Sequence, residues 1–133
     1  MPVTLSYPKP RDLLTKFISL AVTDSSTEKC VLPKDAILAN VICNQTVNAT
    51  TDASSWVVGW SGATGAILNA FASATTKVGM VHPGTTVGTE MGNKLTADRS
   101  IISTCTKGAS DTTSVVQVMI QYFIPGSGET LTS

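Results

Sequence analysis

The chain carries one histidine, and the surrounding sequence does not supply the partners that histidine chemistry needs. His82 lies in the sequence VHPGT, which is typical of a turn. A catalytic histidine needs a nucleophile or a carboxylate within hydrogen-bond reach, and no G-x-S-x-G or HExxH pattern surrounds this one. Asp98 and Asp111 flank the last two predicted strands, but two turn aspartates do not define the carboxylate pair of a glycosidase. We therefore expect no catalytic residue and no enzyme activity.

The three cysteines are too scattered in sequence to indicate a metal site. Cys30, Cys43 and Cys105 show no CxxC spacing, so we expect no metal. The glycines of GWSGATG lack the spacing and the following Lys-Ser/Thr of a phosphate-binding loop, and we expect no cofactor. Each cysteine lies in an apolar segment, which favours buried free thiols. One disulfide with one spare thiol is the alternative.

Two tryptophans share one side of a short predicted strand, WVVGWS. Trp56 and Trp60 could stack on sugars, as paired indoles do in carbohydrate-binding β-sandwiches. The alternative is that both rings lie in the core or at a contact between subunits, because tryptophan carries a large apolar surface and commonly anchors interfaces.

The composition limits the partners that the chain can bind. Of its 133 residues 14% are charged, and nine basic residues balance nine acidic ones. A typical domain has roughly 25% charged residues. Nucleic-acid affinity comes largely from clustered Lys and Arg, and no such cluster exists, so we expect no nucleic-acid partner. An uncharged surface suits a protein that packs against other protein. A small β domain with an uncharged polar surface is the simpler alternative.

We expect neither a signal peptide nor a membrane span in this sequence. The first twelve residues, MPVTLSYPKPRD, contain three prolines and no apolar h-region. The longest apolar stretches are interrupted by Asn, Gln or Gly before they reach the length of a span. We expect the protein to be made in a cytoplasm, with no membrane contact.

The pattern of strands and turns predicts a single all-β domain. Residues 1–12 are predicted as an extended N-terminal arm, because proline fixes φ and removes a hydrogen-bond donor. Residues 13–125 contain roughly six to eight short strands with regular turn signals, which is the pattern of a β-sandwich or jelly roll. Residues 126–133 are predicted as a flexible C-terminal tail.

One short helical insertion is predicted within this domain. The stretch GATGAILNAFASATT, residues 62–76, has apolar residues that fit a 3.6-residue period over little more than two turns: Ala66, Ile67, Ala70, Phe71 and Ala74.

The last predicted strand, within SVVQVMIQYFIP, has one apolar face and one mixed face. The apolar set alternates as a half-buried strand requires: Val116, Val118, Ile120, Tyr122 and Ile124. The opposite set mixes two glutamines with Val115, Met119 and Phe123, and the sequence alone does not say what covers it. RSIISTCT is predicted to pair with this strand as a hairpin through the turn KGASD.

The order of four stretches resembles small β-sandwich or jelly-roll virion proteins of tailed bacteriophages, of the head decoration or cement type. The stretches are VLPKDAILANVICNQTVNAT, WVVGWSGATGAILNAF, TTKVG and LTADRSIISTCTKGASDTTSVVQVMIQYFIP. The likeness is one of element order and turn chemistry. Two features depart from the pattern: the loop after Trp60 lacks acidic residues, and Ser114 replaces a hairpin glycine.

The resemblance implies a structural virion protein that is made in the host cytoplasm and decorates the capsid surface. Its expected partner is the major capsid protein, whose subunits it bridges as a homotrimer. The alternative is a receptor- or glycan-binding module of a head spike, fibre or tail, with Trp56 and Trp60 as the stacking platform.

The resemblance also gives the arm and the mixed face of the last strand a role. The arm is expected to lie along a capsid strand and add to its sheet edge, through Val3, Leu5, Tyr7, Pro8 and Arg11. The side chains of Val115, Met119 and Phe123 are expected to be covered by a sister subunit or by the capsid. A sandwich neighbour or the short helix of the same chain is the alternative cover.

Overall fold

The computed structural model describes residues 13–76, 78–81 and 86–125. The predicted arm (residues 1–12), the predicted tail (residues 126–133) and His82 lie outside these described residues. Within the described ranges no helix is long and apolar enough to cross a membrane.

Eight β-strands form two antiparallel four-stranded sheets. In chain order they are β1 (Leu14–Ala21), β2 (Thr27–Leu32), β3 (Ile37–Val47), β4 (Ser55–Trp60), β5 (Ala63–Ala72), β6 (Gly79–Val81), β7 (Arg99–Thr106) and β8 (Val115–Phe123). The first sheet has the order β1-β8-β3-β6, and the second has the order β2-β7-β4-β5. The first strand pairs with the last and the second with the penultimate, which is the arrangement of a jelly roll. The predicted all-β sandwich is confirmed.

The core lies between the inner faces of the two sheets. On β8 the predicted alternation is confirmed, since Val116, Val118 and Ile120 are fully buried. The second sheet contributes residues that include Trp56 and Ile101, also fully buried. Each such aliphatic side chain stabilises the fold by roughly 1.5–3 kcal/mol, so the contact between the sheets is the main source of stability.

The predicted helix at residues 62–76 is wrong, because this segment contains β5. A β-bulge produces the apparent helical period. β5 pairs Leu68 with Val58 and Phe71 with Trp56, so it carries one extra residue between these two pairs, which shifts the alternation of its side chains. Ala70 lies in this extra stretch with a φ of 59°. The apolar residues whose spacing predicted a helix therefore lie largely on a bulged β-strand.

The edge of β5 that faces away from β4 is hydrogen-bonded to the loop that contains Gly88 and Glu90. The backbone N–H of Gly88 donates to the carbonyl of Ile67 at 2.8 Å, and that of Glu90 donates to the carbonyl of Ala66 at 3.0 Å. Ala66, Ile67 and Leu68 are all buried at this point. Three successive buried residues do not show the two-residue alternation by which an exposed strand is recognised.

The predicted hairpin between residues 99–106 and 115–124 is also wrong. β7 pairs with β2 and β4 in the second sheet, whereas β8 pairs with β1 and β3 in the first. Residues 107–114 therefore cross from one sheet to the other, and side-chain hydrogen bonds centred on Asp111 hold this crossing in place of a tight turn.

The three cysteines are free thiols, as predicted. Cys43 on β3 is fully buried, whereas Cys30 on β2 and Cys105 on β7 are only partly buried. Partial burial raises the pKa of the Cys30 and Cys105 thiols. The three thiols are thus free as predicted, and one of them is buried while two are only partly buried.

Candidate interaction surface

The predicted interface residues lie on the outward face of the first sheet. Val115, Met119 and Phe123 alternate with the buried residues of β8, and each is partly exposed. β8 is an inner strand, so these side chains are flanked by residues of β1 and β3. The predicted helix that was one possible cover for them does not exist.

Four apolar side chains form what we call the apolar patch of this face: Phe17, Ile42, Met80 and Met119. Met119 pairs directly with Phe17 of β1 on one side and with Ile42 of β3 on the other. Phe17 is 64% exposed and Met80 is 71% exposed. The patch and two amide side chains, Asn44 and Gln117, line a shallow depression of about 60 Å³.

Uncharged polar side chains surround the apolar patch. Gln117 pairs with Asn44 in one row next to it, and Gln121 pairs with Asn40 in the row on its other side. The side-chain amide of Asn40 donates to the Oε1 atom of Gln121 at 3.2 Å. The amides therefore also bond along the sheet rather than to water alone.

The strands of the first sheet are almost free of charge. β3, β6 and β8 contain no charged residue, and β1 contains one, Lys16. Lys16 shares the inward phase of Ile18 and Leu20, so the outward face carries no charge. The cores of protein–protein interfaces are depleted in charge and enriched in methionine and aromatic residues, as this face is.

The outward face of the first sheet is smaller in area than one side of a standard protein–protein interface. Its strands β1, β8, β3 and β6 have eight, nine, eleven and three residues, and at about 3.3 Å per residue and about 4.8 Å between strands they cover on the order of 500 Å². A standard specific interface buries about 800 Å² on each partner. The face supplies more than half of such an interface, so a stable contact through it needs further contacts elsewhere.

β1 is an edge strand of the first sheet. Among the described strands it pairs with β8 alone. It begins at Leu14, close to the end of the predicted arm. An edge strand presents a row of backbone N–H and C=O groups that another chain can extend.

The two tryptophans belong to the core rather than to an exposed platform. Trp56 is fully buried, and its indole Nε1 donates to the carbonyl of Ala21 at 2.9 Å. Trp60 is 7% exposed, and the guanidinium carbon of Arg99 lies 5.2 Å from its ring centroid. Neither indole presents an open face on which a sugar ring could stack, which favours the core alternative.

Arg99 occupies an inward-facing position at one end of the sandwich. It lies at the start of β7, in phase with the buried residues Ile101 and Ser103. Its Nη2 donates to the Oγ1 atom of Thr96 at 3.3 Å, and its Nε is buried without a hydrogen-bond partner. A buried donor without an acceptor costs about 1–3 kcal/mol. Two clefts, of about 220 and 210 Å³, have both Arg99 and Trp60 in their walls.

The two aspartates singled out in the sequence both stabilise turns. The Oδ1 atom of Asp98 accepts the backbone N–H of Lys34 at 2.7 Å. Asp111 is fully buried, and its Oδ2 atom accepts the hydroxyl of Ser54 at 2.6 Å and that of Ser114. Its Oδ1 atom accepts the backbone N–H groups of Thr113 and Ser114, each at 3.1 Å.

These hydrogen bonds decide the charge state of Asp111. Burial alone raises the pKa of a carboxyl group, but the bonds from Ser114, Ser54 and Thr113 outweigh it and hold the pKa of Asp111 well below its usual range. Asp111 is therefore an ionised acceptor that fixes the crossing between the sheets.

Among the described residues, no group of three or more His, Cys, Asp or Glu side chains could hold a metal ion.

Sequence reasoning missed the most exposed apolar residues of the outward face. Phe17 lies on β1, in a stretch whose sequence pattern was ambiguous. Met80 lies on β6, which is only three residues long. The signal that could have identified Arg99 is its phase, since a charged residue two positions before Ile101 must face inward if the strand is regular.

The architecture defines the protein as a jelly roll, and its fold is similar to that of chains in two solved phage capsid structures. One chain of a structure described as the cyanophage Pam1 capsid asymmetric unit superposes with a TM-score of 0.65 at 14% identity, over 94% of each chain. One chain of the capsid of Ralstonia phage GP4 superposes with a TM-score of 0.57 at 16% identity, over 91% of this chain and 90% of that one.

These two likenesses show a shared fold at the level of the whole domain. No family model and no curated protein matches the sequence. The predicted resemblance to small β-sandwich proteins of phage virions is thus confirmed in the fold.

Proposed function

We propose that the protein is a structural component of a phage virion and decorates the capsid surface as a cement protein. The observation that carries this proposal is the charge-free outward face of the first sheet, with the apolar patch at its centre. A soluble domain rarely leaves such a face open unless another protein covers it. The likeness in fold to chains of two phage capsid structures supports a capsid as the place where this happens.

The partners in this proposal are the major capsid protein and sister copies of the chain. Val115, Met119 and Phe123 lie in a contact within a homotrimer or against the capsid. Three linked copies gain avidity, because each attached copy raises the effective concentration of the next. A protein that binds only the expanded shell stabilises that shell by linkage. The gain is about 2.7 kcal/mol per site when the free protein concentration is 100 times its Kd.

The N-terminal arm supplies a second contact in the proposal. Val3, Leu5, Tyr7, Pro8 and Arg11 lie along a strand of the capsid protein and extend its sheet. The observation in favour is the edge position of β1, which the arm precedes directly in the chain. The outward face is smaller than a standard interface, so an additional contact of this kind is needed for stable attachment.

Pelleting with heads tests the proposal. Purified protein is mixed with unexpanded and expanded heads of the phage that encodes it, both stripped of the native copy. The protein is expected to pellet with expanded heads, and to pellet with unexpanded heads in a far smaller amount. It is also expected to raise the temperature at which expanded heads rupture. If it binds neither kind of head and co-purifies instead with tails or fibres, the cement role is wrong.

A glycan- or receptor-binding role is the competing proposal. It relied on Trp56 and Trp60 as a stacking platform, and both rings are buried. No other described feature favours it, so we retain the capsid role alone.

A further inference from the structure

We propose that Arg99, held against Trp60, binds the carboxylate of an acidic side chain presented by a protein partner. The inference does not rest on the cement role, because Trp60 and Arg99 belong to the second sheet and the outward face belongs to the first.

The guanidinium of Arg99 has few acceptors within the chain. An arginine side chain carries five N–H donors. Its described hydrogen bond is one contact of 3.3 Å to the hydroxyl of Thr96, and its Nε–H is buried without a partner. A ligand cannot reach the buried Nε–H, but Nη1 forms no described hydrogen bond and is not among the buried unpartnered atoms, so a carboxylate can accept from the Nη1 and Nη2 ends of the fork.

No carboxylate of the described chain neutralises this charge. The described ion pairs join Lys29 to Asp24 and Lys94 to Asp35. Asp98 shares one cleft with Arg99, but its Oδ1 atom accepts the backbone N–H of Lys34.

Glu90 is the internal competitor for Arg99. It shares the other cleft with Arg99 and Lys94, and its Oε2 atom accepts from the side chain of Asn93 at 3.3 Å. It forms no described ion pair with Arg99. A carboxylate from outside would therefore be the first full counter-ion of this guanidinium.

The surroundings of Arg99 fit a carboxylate on a flexible stem. Trp60 holds the guanidinium at 5.2 Å from its ring, which orients the planar fork that pairs with a carboxylate through two parallel hydrogen bonds. Clefts of about 220 and 210 Å³ lead to the same two residues, and each has room for the end of an Asp or Glu side chain. Because Trp60 is 7% exposed, a sugar acid would find no ring face to stack on, which favours an acidic side chain of a protein.

The test is a titration of the full chain, labelled with ¹⁵N, followed by NMR at constant ionic strength. The probe is N-acetylglutamate α-amide, and the matched neutral control is N-acetylglutamine amide. We expect the Arg99 Nε–H and Trp60 Nε1–H signals to shift and saturate with the acidic probe, with a Kd of about 1–10 mM, and to remain in place with the neutral one. Equal shifts with both probes, or no saturable shift, would overturn the proposal.

Variants then assign the site. Arg99→Lys keeps the charge but removes the fork, and is expected to weaken binding at least about tenfold. Glu90→Gln removes the internal competitor, and is expected to keep or strengthen binding.

Loss of binding in Lys94→Gln with full binding in Arg99→Lys would instead place the site on Lys94. Tighter binding of glucuronate than of the acidic probe would assign the site to glycans. If Arg99→Lys does not fold, the comparison of the two probes on the unchanged protein still decides.

Discussion

Phe17 and Met119 are direct cross-strand neighbours on β1 and β8, and both side chains point away from the core of their own domain. Phe17 is 64% exposed although it belongs to a regular strand of the first sheet. Aromatic and long aliphatic pairs of this kind stabilise a sheet when they are covered. Their exposure in the single chain is the basis for assigning this face to a contact with another protein.

A charge placed in the apolar patch is expected to abolish attachment while the domain stays folded. Met119→Glu puts a carboxylate where the proposed contact excludes water, and an unpaired buried charge costs several kcal/mol. Head binding in the pelleting assay is expected to fall more than about tenfold. The melting temperature of the isolated protein is expected to change little, because Met119 is outside the core.

Thr106→Glu is the matched control for this variant. Thr106 is an exposed residue at the end of β7 in the second sheet, so its replacement adds the same charge away from the patch. Head binding should be unchanged. If Met119→Glu unfolds the protein, Met119 supports the monomer core; if it binds heads normally, the outward face is not the interface.

Deletion of the arm is expected to weaken attachment without unfolding the domain. A protein that lacks residues 2–12 loses the proposed strand addition but keeps all eight strands. Circular dichroism and the melting temperature should match those of the full chain, whereas head binding should fall. A full chain in which Val3, Leu5 and Tyr7 are replaced by serine should behave in the same way. Normal binding by both proteins would contradict the role assigned to the arm.

Asp111→Asn is expected to destabilise the domain by about 2–3 kcal/mol. The amide keeps the shape of the carboxylate but loses the charge that strengthens the hydrogen bonds from Ser54 and Ser114. Equilibrium unfolding in urea measures the change. Asp52→Asn is the control, since Asp52 is an exposed aspartate in a nearby loop, and it should stay within about 0.5 kcal/mol of the unchanged protein. Equal stability of both variants would contradict the structural role of Asp111.

The same carboxylate predicts how stability depends on pH. Its pKa is lower in the folded protein than the value of about 3.9 for an unperturbed aspartate, so near that pH the unfolded chain binds more protons than the folded one. The contribution of Asp111 is therefore fully present above about pH 5 and is lost progressively as the pH falls through 4 and below. The unfolding free energy of Asp111→Asn should depend less steeply on pH over this interval. An identical slope in the two proteins would show that Asp111 is not a source of the acid sensitivity.

The sequence was sufficient for the class of fold because the buried faces follow simple rules. The alternation of Val116, Val118 and Ile120 predicts the inner face of β8, and all three side chains are fully buried. Trp56 and Trp60 were predicted to share one side of a strand, and both are buried, as is Val58 between them. In both cases the extra residues lie on a partner strand, on β3 beside β8 and on β5 beside β4, so β8 and β4 themselves keep the two-residue period.

The errors arose where long-range contacts override local pattern. The bulge that contains Ala70 and the covered edge at Ile67 removed the alternation from β5, and only the partner strand and residues 86–91 produce these features. The turn KGASD is typical of a hairpin, yet Asp111 in that turn bonds to Ser54, 57 residues earlier in the chain. That contact directs the chain into the other sheet, and no local signal reveals it.

The candidate surface was partly predictable for the same reasons. Met119 and Phe123 followed from the phase of β8, because an apolar residue on the outward phase of a strand is visible in the sequence. Phe17 and Met80 required the order of the strands, which places β1 and β6 in the same sheet as β8. The inward phase of Arg99 is visible in the sequence, but its position 5.2 Å from the Trp60 ring required the pairing of β4 with β7.

The central claim is that the outward face of the first sheet is covered by another virion protein, and a cryo-microscopy reconstruction of the virion tests it most directly. The account predicts density for this jelly roll on the head, with Phe17 and Met119 in van der Waals contact with a sister subunit or the major capsid protein. A reconstruction in which the protein is on the head but this face is open to solvent, or in which the protein is absent from the head, would contradict it.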